Sequence, residues 1–196
     1  MPNWCHISIV IKHKDKRELK KFYKLMKKWL SKHYCDNDFG HNWCGNLVGN
    51  SGVGTVDTGK DTDLRCKSWI SSYFLRKGDL FVHMHSAWKP DMLLWIKILE
   101  KYLPEATLTY VAEEPLTNLY CTNDPEIQNH YCVAIKGYND DSGRFATEEE
   151  TIRFLQKIFE TQIANLDMLL NMLNDSDYSD CIIVQKWRHV DITDWN

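Results

Sequence analysis

Four groupings in this 196-residue chain have residue types that do chemistry. The first lies in GVGTVDTGKD at residues 52–61, where from Gly54 the spacing reads G-x-x-x-x-G-K, one residue short of a phosphate-binding loop. Such a loop needs Ser or Thr after the lysine to bind magnesium, a strand before it and a helix N-terminus behind the phosphates. Here Asp61 follows Lys60, Asp57 and Asp63 add further negative charge, and DTDLRCKSW has no helical period. Nucleotide binding is therefore not expected, and the glycines serve turns. The second grouping is histidine. His83 and His85 are two apart in a strand-like segment and so share a face, opposite the apolar set Leu80, Val82 and Met84. His6 stands opposite the apolar set Cys5, Ile7, Ile9 and Ile11. If the two segments are neighbouring strands, His6, His83 and His85 could gather as an open zinc or copper site. The competing reading is that the C-terminal part of the chain covers this face and the rings make ordinary hydrogen bonds.

The third grouping, Cys35, His41, Cys44 and Cys66, offers soft ligands but no C-x-x-C knuckle, so free thiols are expected. The fourth is acidic: Glu113, Glu114, Asp124 and Glu126. Adjacent residues of a strand point to opposite faces, so Glu113 and Glu114 cannot act as a close acid–base pair. No cofactor is expected from any of the four.

Charge marks a binding surface more clearly than catalysis. The net charge is −3, yet residues 1–32 hold ten of the 24 Lys and Arg and two of the 27 Asp and Glu. Asp15 opens a helix whose apolar stripe is Leu19, Phe22, Tyr23, Met26, Trp29 and Leu30. Lys20, Lys21, Lys24, Lys27 and Lys28 fill its other face. Such a face is either a solvated helix surface or a dock for an acidic partner, protein or nucleic acid.

The elements that position these groups follow from period and punctuation. Residues 5–11 alternate as a strand, and 69–75 and 80–87 alternate as two more, joined by the turn Lys77-Gly78-Asp79. Pro90 and Asp91 start a helix over 92–102, Pro104 ends it, and 106–113 is a fourth strand. Residues 35–67, with six glycines, read as a long irregular loop that Trp43 tacks to the core. The order β-α-β-β-α-β predicts an α+β fold, a ferredoxin-like split βαβ with an antiparallel sheet, in which the first and third strands are neighbours. After Pro115 the pattern restarts as a C-terminal β-α-β extension. A polar connection covers 116–129, a strand 130–138 and a turn 139–143. A helix follows behind the capping box Thr147–Glu150, with a break near Asn165, and a last strand covers 181–190. The predicted domains are 1–115 and 116–196, the second docked on the first.

The opening Met1-Pro2-Asn3-Trp4-Cys5, the block SAWKP at 86–90 with Trp95, and YVAEEP at 110–115 resemble the Api92-like, YubB-type family over roughly residues 1–120. The resemblance implies a ferredoxin-like N-terminal domain in an uncharacterised protein of bacterial plasmids, phages or islands. It carries over no catalytic residue. No apolar run approaches the ~20 residues of a membrane helix, and the opening does not read as a signal peptide. Seven unpatterned cysteines then suit a reducing cytoplasm. The outer face of such a sheet is where RNA-recognition domains stack bases, and Trp4 and Phe81 would lie there, but the basic, glycine-rich motif of those domains is absent. The reading that follows is a non-enzymatic binding or interaction protein of a mobile element. The alternatives are nucleic-acid binding through the lysine helix and a metal-dependent enzyme at the histidines.

Overall fold

The computed structural model describes residues 3–34, 39–56, 64–114, 117, 119–135, 143–174 (backbone alone at 172–174) and 182–195. The chain divides into two compact units, Met1–Glu114 with Val190–Asn196, and Pro115–His189.

The first unit is built on strands β1 (Trp4–Lys12), β2 (Ser68–Arg76), β3 (Asp79–Ala87) and β4 (Thr107–Glu114), with helices α1 (Lys16–Leu30), α2 (Cys44–Ser51) and α3 (Leu93–Tyr102). Its sheet has the order β2-β3-β1-β4, and β1 runs antiparallel to both β3 and β4. Alternation decides the faces. Cys5, Ile7, Ile9 and Ile11 are buried, and opposite them stand the equally buried Ser86, Met84, Val82 and Leu80. Leu19, Phe22 and Met26 of α1 and Trp95 and Ile98 of α3 complete that core. Asp15 caps α1, its side chain accepting from Arg17 N–H at 2.8 Å. Lys77 and Gly78 both have positive φ, as the two-residue hairpin turn between β2 and β3 requires.

Two expectations in this unit need correction. Strict alternation puts Trp69 and Tyr73 on one face of β2. The register shifts between Ile70 and Ser72, so Ser71 is an extra residue, and Trp69 stands opposite His85 while Tyr73 stands opposite Val82. Trp69 is thus on the outer face and Tyr73 on the helix side, its ring 5.8 Å from that of Tyr23. The second correction is α2, an eight-residue helix inside the segment read as irregular. Its two glycines argue against a helix, and packing overrides them. Leu47 and Val48 are fully buried, Asn46 accepts from Tyr34 N–H and donates to the Gly40 and His41 carbonyls, and Asn50 donates to those of Trp29 and Lys32. Trp43 does tack the segment to the core, at 1% exposure.

The second unit contains β5 (Leu119–Thr122), β6 (Tyr131–Ile135), β7 (Gly143–Phe145), α4 (Glu148–Phe159), α5 (Leu166–Asn174), β8 (Ile182–Lys186) and β9 (Arg188–His189). Antiparallel pairing joins β7, β6 and β8, over a core of Val133, Leu155, Ile163, Leu169 and Ile182. The Thr147–Glu150 cap is present, with Glu150 N–H donating to Thr147 Oγ1. Three features go beyond the simple β-α-β expectation. The polar connection contains β5, which pairs in parallel with β9. The last strand is interrupted at Trp187, whose buried ring meets Tyr120 edge-on at 5.4 Å. The helical stripe breaks over 160–165, where Glu160 takes φ +49° and Asn165 Oδ1 accepts from Met168 N–H to restart the helix. Residues 139–142, where the turn was predicted, lie outside the described residues.

Candidate functional site

The lysine face is where the sequence puts it. Lys20, Lys21, Lys24, Lys27 and Lys28 are all exposed on α1, whose opposite stripe is buried. Lys21 is paired with Glu18 at 2.7 Å. Among the described residues, Lys20, Lys24, Lys27 and Lys28 have no acidic partner. They repeat at i, i+4 and i, i+3, so they line one side of the helix over about 12 Å at 1.5 Å per residue.

The three histidines do share the outer face, but they do not gather. His6 stands opposite His85, with rings 4.6 Å apart and nearly perpendicular. Burial, and then the neighbouring His6, hold His85 below the ordinary imidazole value, so this ring is neutral at physiological pH. His83 stands opposite Ser8 instead, and its Nδ1 lies 3.0 Å from Ser8 Oγ. The register thus gives each histidine of β3 a different partner, and among the described residues no three His, Cys, Asp or Glu side chains are placed to hold a metal. Glu113 stands opposite His6 on β4, while Glu114 is buried on the other face, as adjacent strand residues must be. Cys44 and Cys66 are buried, and burial pushes the Cys44 thiol up to about 12, far from a ligating thiolate. His41 pairs its ring with His33 at 4.5 Å. Cys35 and the charged half of the Gly54 motif, Asp57 to Asp63, lie outside the described residues.

A site that sequence reading missed lies where the chain ends of β1, β2 and β3 meet. Trp4, Trp69, Trp88 and Phe39 wall a cleft of about 310 Å³, floored by Trp43 and rimmed by Lys67. Trp4 and Trp69 meet edge-on at 5.8 Å, and Phe39 meets Trp69 edge-on at 6.1 Å. Trp43 and Trp69 spend their indole N–H groups internally, on the Cys66 and Phe39 carbonyls. Trp4, Phe39 and Trp88 nevertheless remain 42%, 45% and 52% exposed.

Trp88 is held there against its own preference. Its φ is +64°, and Lys89 N–H donates to the Ala87 carbonyl across it, giving a γ-turn of the strained hand. A positive φ in a bulky residue costs about 1–3 kcal/mol and persists where surrounding structure imposes it. That structure is Arg65. Its guanidinium donates to Ser86 Oγ and the Lys89 carbonyl at 3.0 Å, and also to the Ala87 carbonyl and the buried Asp91 carboxylate. Trp88 N–H donates to the Asn3 carbonyl at 2.8 Å, fixing the turn to the start of β1. The block SAWKP stands out in the sequence as a motif, but nothing in its residue types signals this backbone conformation. No family model, curated protein or solved structure matches this chain.

Proposed function

We propose that this chain is a non-enzymatic binding protein with a ferredoxin-like first unit, and that the lysine face of α1 is its dock for a polyanionic partner. The strand order β2-β3-β1-β4, with a helix after β1 and another after β3, supports the ferredoxin-like assignment. One observation carries the functional reading: Lys20, Lys24, Lys27 and Lys28 are unpaired among the described residues on one side of one helix. Like charges at i, i+4 each cost a few tenths of a kcal/mol, roughly 0.2–0.5, so the run opposes folding unless a partner neutralises it. The resemblance of residues 1–120 to the Api92-like, YubB-type family supports a bacterial mobile-element protein of the cytoplasm, where nucleic acid is the commonest polyanion.

The test is equilibrium binding to duplex DNA across a salt series. Phosphate contacts release counterions, so affinity falls steeply with salt. Reversing Lys20, Lys24, Lys27 and Lys28 to Glu reduces the slope by about 1 for each phosphate no longer neutralised. Affinity indifferent both to salt and to the charge reversal would defeat the nucleic-acid reading. A partner recovered from the host after nuclease treatment would then be a protein.

A further inference from the structure

We propose that the tryptophan cleft is a second binding site, distinct from the lysine face, and that it takes the unpaired bases of a single-stranded nucleic acid. The walls are ring faces and edges, the surfaces on which bases stack without regard to sequence. At about 310 Å³ the cleft is at the small end of ligand pockets, sized for a ring system or two. Charge selects among ring-binding ligands. Among the described residues no carboxylate lines the cleft, and Lys67 Nζ stands 5.5 Å from the Trp88 ring centroid. A quaternary ammonium guest would meet that cation in the position it needs itself. A sugar would need a dense set of hydrogen-bonding groups, and two of the four indoles have already spent theirs. A planar base bearing a phosphate uses both features: rings for the base, the Lys67 ammonium for the phosphate.

The outer face extends the site from one base to several. Two residues along β1 from Trp4, the paired rings of His6 and His85 present the next platform. That step is about 6.6 Å of strand. Beyond lie Phe74 and Phe81, stacked at 5.4 Å with 11° between their planes, with His83 5.9 Å from Phe74. Glu113, opposite His6, bounds the run on the β4 side. The strained turn at Trp88 fits a site: a glycine there would relieve the backbone, but would remove the wall.

The experiment uses the full chain and fluorescence-detected binding of four probes: oligothymidylate, the corresponding duplex, thymidine monophosphate and inorganic polyphosphate. Oligothymidylate should bind and quench indole emission, and to the chain with Lys20, Lys24, Lys27 and Lys28 reversed to Glu each of the other three should bind at least tenfold more weakly at moderate salt. Trp88→Gly should keep or raise the thermal midpoint yet weaken oligothymidylate about tenfold, the effect of one stacked base. Trp4→Ala and Lys67→Glu should weaken it similarly, and Trp88→Phe should restore most of the affinity. Reversal of the α1 lysines should leave the quenching in place, which separates this site from the lysine face. The proposal is overturned by unchanged affinity in Trp88→Gly, by polyphosphate or the duplex binding the lysine-reversed chain as well as oligothymidylate does, or by equal affinity for the monophosphate.

Discussion

The Asp91 side chain has no exposed surface, and the guanidinium of Arg65 is its counter-charge. Taking away one partner of a buried pair leaves an uncompensated charge, which costs about 3–5 kcal/mol. Arg65→Ala should lose that much stability in chemical denaturation. Arg65→Lys should recover little, because an ammonium cannot reach Ser86, Ala87, Lys89 and Asp91 with one planar fork. Nothing in the sequence announces this pair, whose members are 26 residues apart. Asp15 is the opposite case, a local cap readable from its place before the helix. The side chain and backbone N–H of Arg17 hold its carboxyl down to about 2, from an ordinary 3.8. A lowered folded value means a contribution fully present above 3.8 and lost as the pH falls towards 2. Carbon-detected titration of Asp15 should give the low value, and Arg17→Ala should move it back up. An Asp15 that titrates at the ordinary value in the unaltered protein would refute the cap.

At the scale of elements, legibility tracks how local the cause is. β1 and β3 are readable because Ile7, Ile9 and Ile11 and their partners Met84, Val82 and Leu80 obey a period of two. The bulge at Ser71 is not, because nothing in SWISSYFLR marks an extra residue, and it turns Trp69 into a wall of the cleft. Helix α2 is hidden for another reason: its glycines are there for close approach. The Trp43 ring lies against Gly45 and the Tyr34 ring against Gly49, so a side chain at either position would overlap an aromatic ring. Gly45→Ala therefore sets two effects against each other. Intrinsic propensity favours alanine by about 1 kcal/mol. Overpacking against the buried indole costs about 1–3 kcal/mol, and Trp43 is also pinned by its bond to the Cys66 carbonyl. Overpacking should win, and the variant should melt at lower temperature with a perturbed tryptophan near-ultraviolet signal. A raised melting temperature would mean that the indole shifts without cost and that α2 is held by its asparagines alone.

For the molecule as a whole, the chain's return to its first unit is what a linear reading of two successive domains overlooks. Residues 190–195 come back to β4 rather than staying with the strand before them. Tyr110 is the anchor. It is buried, its hydroxyl donates to the Val190 carbonyl at 2.8 Å, and it accepts from Trp195 Nε1 at 2.7 Å. The Tyr110 and Trp195 rings meet edge-on at 6.5 Å. A short 3-10 turn over Ile192–Trp195 brings the indole round, and Asp191 holds that turn by accepting from Thr193 N–H and Oγ1–H. Each hydrogen bond that the phenol gives up is worth about 0.5–1.5 kcal/mol. Removing residues 190–196 should therefore destabilise the first unit by roughly 2–4 kcal/mol, two hydrogen bonds and one ring contact together. Hydrogen exchange should register the loss as weaker amide protection in β1 and β4, while β6 and β8 of the second unit keep theirs. The double change Tyr110→Phe with deletion should be milder than the sum of the two, because the phenylalanine leaves no hydroxyl to satisfy. Equal protection of β4 with and without the last seven residues would show that the first unit closes at Glu114 and that the returning segment only rests on it.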